Sequence, residues 1–421
     1  MTAHPGFSTV LPERSYLATN DPLPITWVPA SVSHRRTTAS RLLPLLPIRN
    51  SMSGVSANPN RSILAFATKG ANSNEEDRLR ILLGGHQTTF FPFDRKYKLR
   101  SFRQIIGEIR RQRPALLALE GSGIAGGLAC LVGRFCFGVP YIISSGDAFG
   151  PWVGAQVRTL GPAFSLYERI VCRYCAGFIG WTPYLVGRAM TFGAPRGMTA
   201  QGFAPHPRTA EQLLAARNTI RTRLNIPQDA LIFGILGNLA WSKPQSYCYG
   251  KELVEAFNQS KSKRAYILLC GDGSGRQRLE QLAGQHKGQR IIFTGNVPHT
   301  EVLDYMAAMD VALLPQSVDK VGMFRYTTKI AEYVAARLPV VTTQIPMAYD
   351  LDDGWMWRLP GTSPWDPTFI QALANMIDNI SLDEIAARKT QMPASIPDFD
   401  QQRQVDRTTA FVNELLAARG R

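Results

Sequence analysis

VALLPQSVDKVGMFRYTTKIAEYVAARLPVVTT, Val311–Thr343, decides the fold of this chain. It reads as strand, loop, short helix, strand. The apolar run Val311–Leu314 is stopped by Pro315, as suits a strand buried on both faces of a parallel sheet. A polar loop with Gly322 follows, and Thr327 and Thr328 supply hydroxyls where a helix N-cap needs them. Ile330, Tyr333 and Val334 give that helix one apolar face, and Pro339 opens the next buried strand, Val340–Thr343. The odd residue is Lys329, a cation in the first turn, where the helix dipole disfavours positive charge. Two readings stand. Lys329 is solvated and pairs with Glu332 one turn on, or it faces an anion such as a pyrophosphate, which reverses the sign of the cost.

Working backwards, the same rhythm repeats. ALIFGILGNL (230–239), AYILLCGDG (265–273) and RIIFTGNV (290–297) read as strands, with helices at GKELVEAFNQS, RQRLEQLAGQH and EVLDYMAAMD between them. Upstream, SILAFAT (62–68), TTFFPF (88–93), ALLALEG (115–121), PYIISSG (140–146) and AGFIGWT (176–182) alternate with helices of their own. One of these, LRSFRQIIGEIRRQR (99–113), carries Leu99, Phe102, Ile106 and Ile109 as an expected apolar face. Gly202–Pro207 breaks the pattern and marks a linker. The expected architecture is α/β, with two Rossmann-like doubly wound domains facing a central cleft and the ligand at the carboxyl ends of the strands. The expected divisions are an irregular N-terminal extension (1–60), an acceptor-side domain (61–207), a nucleotide-sugar-binding domain (208–395) and a C-terminal helix (396–421) packing back toward the first domain. Two helices are expected after Leu359, at roughly 366–380 and 403–418.

FGILGNL (233–239), LLCGDGSGRQRLE (268–280), IIFTGNVPHTEVLDYMAAMDVALLP (291–315) and KIAEYVAARLPVV (329–341) stand in the order and at about the spacings of one family. The second domain resembles the retaining nucleotide-sugar glycosyltransferases of family four, which have the GT-B fold. The first domain resembles them only in its strand–helix rhythm. The resemblance implies a nucleoside-diphosphate sugar as donor and a hydroxyl of a glycan or lipid-linked acceptor. It sets Gly237 and Asn238 beside the donor phosphates, with Lys243 or Lys251 as the accompanying cation. The family usually has an arginine where Asn238 stands. Lys329 becomes the phosphate-facing cation, and Glu332 the acid on the ribose hydroxyls, since a carboxylate can accept from both hydroxyls of a cis-diol. Eight positions before Glu332, where the family commonly carries a second glutamate, stands Phe324. Phe324, Arg325, Tyr326 and Thr327 are then left to shape the sugar pocket with Met323.

Residue chemistry supports the same loops. Gly271 and Gly273 end a strand so that backbone can approach a base and ribose, and Asp272 between them reads equally as a local cap. In the first domain Lys69, Gly70, Ser122 and Gly146 follow strands on the cleft side. Asp147 or Glu120 would orient or deprotonate an acceptor hydroxyl, although Asp147 serves equally as a helix cap. Preorganised cations suffice for a departing diphosphate, so neither metal nor other cofactor is expected.

The remaining composition bounds the answer. The 421 residues are 45% hydrophobic with a net charge of +15, which suits acidic partners. Residues 94–113 hold eight Lys/Arg against two acids, a solvated helix face or an attachment to anionic lipid headgroups. No nucleic-acid motif accompanies the charge. The six cysteines are scattered, and the lone Cys172/Cys175 pair favours packing over metal or redox work. Ile124–Ile143 is interrupted by Arg134, glycines and Pro140, so no membrane span is expected and the chain reads as cytoplasmic, peripheral at most to the inner face of a membrane. A GT-B-fold sugar-nucleotide epimerase and a non-catalytic scaffold are the rival readings.

Overall fold

The computed structural model describes residues 62–325 and 327–419, all within one compact unit, Ala57–Arg421. The expectations for residues 1–60 and for Tyr326 lie outside the described residues. Two parallel six-stranded sheets are present. The first holds β1 (Ile63–Ala67), β2 (Thr88–Phe90), β3 (Leu116–Glu120), β4 (Tyr141–Ser145), β5 (Gly177–Gly180) and β6 (Gly197–Thr199) in the order β2-β1-β3-β4-β5-β6. The second holds β7 (Leu231–Leu236), β8 (Ala265–Cys270), β9 (Ile291–Gly295), β10 (Val311–Leu314), β11 (Val340–Thr342) and β12 (Met356–Arg358) in the order β12-β11-β10-β7-β8-β9. This is the two-lobed GT-B architecture expected from the sequence.

Each order reverses once, between β1 and β3 in the first sheet and between β7 and β10 in the second. Ligands of open α/β sheets bind beyond the carboxyl ends of the strands at such a reversal. In the second lobe the residues there are Gly237-Asn238 after β7 and the 315–328 loop after β10. In the first they are Lys69-Gly70 after β1 and Gly121-Ser122 after β3. The central strands are buried along their whole length, so β1 and β10 read as unbroken apolar runs, while β3 and β4 bury Glu120, Ser144 and Ser145 at their carboxyl ends. Strands β6 (GMT) and β12 (MWR) escaped the sequence reading because three residues carry no period. The helix Leu382–Gln391 escaped it because Ile385 is its one buried residue.

One expected helix face is corrected at Leu99; Phe102, Ile106 and Ile109 do pack on the first lobe's core. In Lys98–Gln112 the buried residues are Ser101, Ile105 and Ile109, and Leu99 is 76% exposed. Ser101 turns inward because its hydroxyl donates to the Asp94 carbonyl (3.2 Å) and accepts from the Asp94 amide (2.9 Å).

The final helix, Gln401–Arg419, leaves the second lobe and covers the first. Val412 and Leu415 are buried with Ile63, Ala65, Leu79 and Leu82, and Phe411 packs against Gly177. The two crossings between lobes run side by side. The Ala204 amide donates to the Phe399 carbonyl (2.9 Å), and Gln404 Nε2 donates to the Gly202 carbonyl (3.2 Å). Among the described residues no helix is long and apolar enough to cross a membrane.

Candidate active site

The second lobe opens into a cavity of about 600 Å³ lined by Gly237, Asn238, Gly271, Asp272, Gly273 and Asn296, among others. Its floor is made by the ends of β7 and β8 meeting closely. Gly271 has φ +134°, and a Cβ there would lie 1.8 Å from the Gly237 carbonyl oxygen, so no other residue fits. Above Gly237 stands Lys329. A Cβ on Gly237 would come within 3.2 Å of Nζ, and Nζ also lies 5.5 Å from the Tyr249 ring centroid. Tyr249 is itself fixed, since Gln316 Nε2 donates to its hydroxyl (3.0 Å) and Thr343 Oγ1 donates to the Gln316 carbonyl (2.6 Å). Lys329 Nζ thus stands over the Gly237 turn at the end of β7. It forms no ion pair with Glu332 among the described residues. Burial raises the Glu332 carboxyl, opposed by the positive charges of Lys329 and His299.

Other expected donor residues lie differently. Asn238 is exposed on the cavity rim, with Asp272 and Gly273 beside it. Asp272 does cap locally, accepting from the Gly273 amide (2.7 Å) and from Arg276 (3.1 Å), while its carbonyl takes the Leu239 amide (2.9 Å). The cation assigned with Asn238 is not aimed at the cavity. Lys251 Nζ donates to the Ser246 carbonyl (3.2 Å) and pairs with Glu255 (3.4 Å), and Lys243 is exposed on the preceding loop. The physical reason for Lys251 is the long 238–250 loop, whose Ser246 carbonyl holds its ammonium. Thr327 and Thr328 do not cap the helix Lys329–Ala335 through their hydroxyls, a correction to the sequence expectation. The Thr327 carbonyl takes the Ile330 amide instead, and its hydroxyl is buried without a partner.

Phe324 also departs from expectation. Its ring joins the apolar core of the first lobe, with the Arg188 guanidinium 5.4 Å away, and its carbonyl accepts from Thr182 Oγ1 (2.8 Å). Beside it Arg325 pairs with Asp147 across the cleft (2.8 Å). Phe324 and Arg325 thus fasten the second lobe to the first. Asp147 caps no helix; the helix after it, Phe149–Gln156, has no side-chain cap.

Glu120 is buried and fully engaged. Arg78 pairs with it (3.1 Å) and donates to Ser144 Oγ (3.0 Å), and Trp181 Nε1 donates to its other oxygen (3.2 Å). Burial raises the Glu120 carboxyl against the pull of Arg78. Its observed partners suit holding the crevice wall rather than taking a proton from an acceptor, which corrects its assignment as a base. Ser122 meets Ser145 hydroxyl to hydroxyl (3.2 Å), Gly146 lies against the Trp181 ring, and Gly70, in the turn after β1, has φ +113°. Lys69 pairs with Glu75 and stands exposed at the rim. Burial pushes the Cys175 thiol up to about 12 and Cys172 also upward, so both remain thiols at neutral pH.

Residues 231–379 match the family described as glycosyl transferases group 1. That match lies within the second lobe of a chain whose fold is GT-B. The domain is similar to TuaC of Bacillus subtilis (strain 168), named provisionally as a teichuronic acid biosynthesis glycosyltransferase, at 31% identity over 36% of this chain and 32% of TuaC. It is also similar to a 2-deoxystreptamine glucosyltransferase of Streptomyces kanamyceticus, at 28% identity over 51% of this chain and 57% of that protein. The chain therefore spans about a third and a little over half of the lengths of these two relatives. In structure it resembles Anabaena HepE in complex with UDP and glucose, with TM-score 0.60, 16% identity, and coverage of 84% of this chain and 100% of that one. Sucrose-phosphate synthase of Thermosynechococcus elongatus has TM-score 0.59 at 15% identity, covering 85% of this chain and 100% of that one. Around the cavity and the facing wall, sequence reading missed Tyr249, Gln316, Asn296 and, in the first lobe, Arg78 and Trp181. Asn296 alone carried a signal, as the residue just past the end of β9.

Proposed function

We propose that this chain moves a sugar from a nucleoside-diphosphate sugar to a hydroxyl of a glycan or lipid-linked acceptor, with retention at the anomeric carbon. The observation that carries the reading is Lys329 Nζ held over Gly237 at the reversal point of the second sheet, beside the glycine-lined cavity. The diphosphate would lie along the Gly237 backbone under Lys329, with the nucleoside in the cavity and its ribose toward Glu332. Departure of the diphosphate concentrates negative charge where the ammonium is already placed, so the cation stabilises the transition state without reorganisation. The reading asks no metal of the protein. Asp147, at the facing wall, would orient the acceptor hydroxyl while Arg325 sets the position of its carboxylate.

The epimerase reading needs free acid and base groups on the sugar. Glu120 is buried and held by Arg78 and Trp181, so of these two carboxylates Asp147 alone is left to handle a proton, one short of the pair an epimerase needs, which favours the transferase. Calorimetry with a panel of nucleoside diphosphates and their sugars tests the donor assignment. Lys329→Ala is expected to weaken donor binding about 10–100-fold, the worth of one charge-assisted contact, with the melting temperature of the unliganded protein unchanged. Equal affinity in the variant and the parent would sink the site. Anomeric proton couplings of the product report retention, and product formed from labelled donor excludes the scaffold.

A further inference from the structure

The helices Lys98–Gln112, Ile124–Phe137 and Gly161–Tyr174 cover one side of the first sheet. The middle helix is drawn in by glycines, with Gly127 against Tyr167 and Gly133 against Ile109. Tight packing below leaves large apolar side chains above. Ile124, Leu128 and Phe135 share the outward side of the middle helix, and Leu166, Ile170 and Tyr174 recur at four-residue steps on its neighbour. Phe135 is 63% exposed and Leu166 60%. The two rows touch, because the Phe135 and Tyr174 rings meet edge to face at 4.9 Å. Apolar side chains scattered singly over a surface need no explanation, but a contiguous ridge marks a contact site.

The charge around the ridge is of one sign. Arg134, Arg169 and Arg173 are exposed along it, and the basic helix Lys98–Gln112 flanks it. The middle helix has no acidic residue, and the single acid of its neighbour, Glu168, is buried and held by Arg188 (2.8 Å). An apolar strip bordered by arginines, with no exposed carboxylate on either helix, complements an anionic headgroup layer over hydrocarbon.

We infer that this side of the first lobe docks on an anionic bilayer through the Ile124–Phe135 and Leu166–Tyr174 ridge. The basic segment recognised in the sequence is then the flank of the contact, and the ridge its centre. Ile124 directly follows Ser122-Gly123 at the end of β3, so the ridge begins beside the acceptor crevice. Docking there presents the crevice to the headgroup layer and favours the lipid-linked over the free glycan acceptor, a step that rests on the proposed function.

Flotation of the full chain with vesicles tests the inference. Binding is expected to vesicles of phosphatidylcholine containing about a third phosphatidylglycerol, to fall as salt rises above about 0.1 M, and to be absent on phosphatidylcholine alone. Phe135→Ser with Leu166→Ser is expected to abolish it. Arg169→Gln with Arg173→Gln is expected to weaken it about fivefold for each charge removed. Parent protein that does not float with anionic vesicles, or variants that float as well as the parent, overturn the inference. So does a parent that sediments as a dimer and does not float, with the Phe135/Leu166 variant monomeric, since the ridge then seals a second copy. The donor-induced rise in melting temperature is measured alongside. Flotation without that rise leaves the docking standing and removes the donor assignment; the rise without flotation does the reverse.

Discussion

At the scale of single residues, the site depends on atoms the fold cannot rearrange. A methyl on Gly271 would meet the Gly237 carbonyl at 1.8 Å, and its φ is one that L side chains resist. Gly271→Ala is expected to lower unfolding free energy by about 2–4 kcal/mol in urea titration and to abolish donor binding, because the neighbouring strand end must move. Glu252 offers a test of a different kind. It is buried beneath the loop that holds Tyr249, accepting from Tyr247 Oη (2.8 Å) and the Gly250 amide (3.3 Å). Burial outweighs these donors and pushes its carboxyl from 4.5 up to about 7. A carboxyl with a raised value in the folded state holds its proton more tightly there than when unfolded. Its contribution is therefore full below about pH 4.5 and is lost as the pH rises to about 7, by an amount on the order of a few kcal/mol. Glu252→Gln is expected to flatten the melting temperature across that window; an unchanged slope would show that the group does not titrate there. Lys329 stood out in the sequence because a cation in a first turn is anomalous, whereas Glu332 was singled out only through the family resemblance. Arg78 and Trp181 were not, since their part follows from side chains brought together over 40 to 60 positions and leaves no local pattern.

Among the elements, the loop between β10 and the helix Lys329–Ala335 does two things at once. Its end supplies Lys329 to the crevice, and its middle reaches over to the first lobe through Phe324 and Arg325. The Arg325–Asp147 pair is partly exposed, so solvent screening limits its direct worth to about 0.2–1 kcal/mol, to be read from a double-mutant cycle on stability. Its effect on turnover is expected to be larger. Asp147→Asn should reduce kcat about a hundredfold or more if the carboxylate handles the acceptor hydroxyl, while leaving donor affinity intact. Arg325→Ala should leave a smaller loss, with KM for the acceptor raised. Equal losses in both variants would mean that the pair serves closure only. The strands were readable as elements wherever burial on both faces imposed an unbroken apolar run, as in β1 and β10. The direction of Phe324 was not readable. Its aromatic ring suits a sugar pocket and a lobe contact equally, and only the approach of Thr182 and Arg188 decides between them.

For the whole molecule, two doubly wound lobes were implied by the alternation of strands and helices and by four motifs in sequence, while the strand orders, with β6 and β12 at two of the sheet edges, came only from the structure. The return of the C-terminal helix to the first lobe was expected from the sequence; which residues it covers was not, and the helix Gln401–Arg419 finishes that lobe's outer layer over Ile63, Leu79 and Leu82. Removing residues 401–421 strips Val412 and Leu415 from a core that includes Ile63, Leu79 and Leu82. The loss is expected to be about 3–6 kcal/mol for those two side chains alone, enough to remove soluble protein or to lower its melting temperature by more than about 10 °C. A truncated chain with an unaltered melting curve would show that the first lobe stands without it. The same swap of material sets an order on biosynthesis. Residues 62–200 leave the ribosome with a bare apolar side, and about two hundred more, the entire second lobe, must follow before their own cover is made. The half of the molecule translated first is thus the half completed last, and during that interval it depends on chaperones or on speed of elongation to stay out of aggregates.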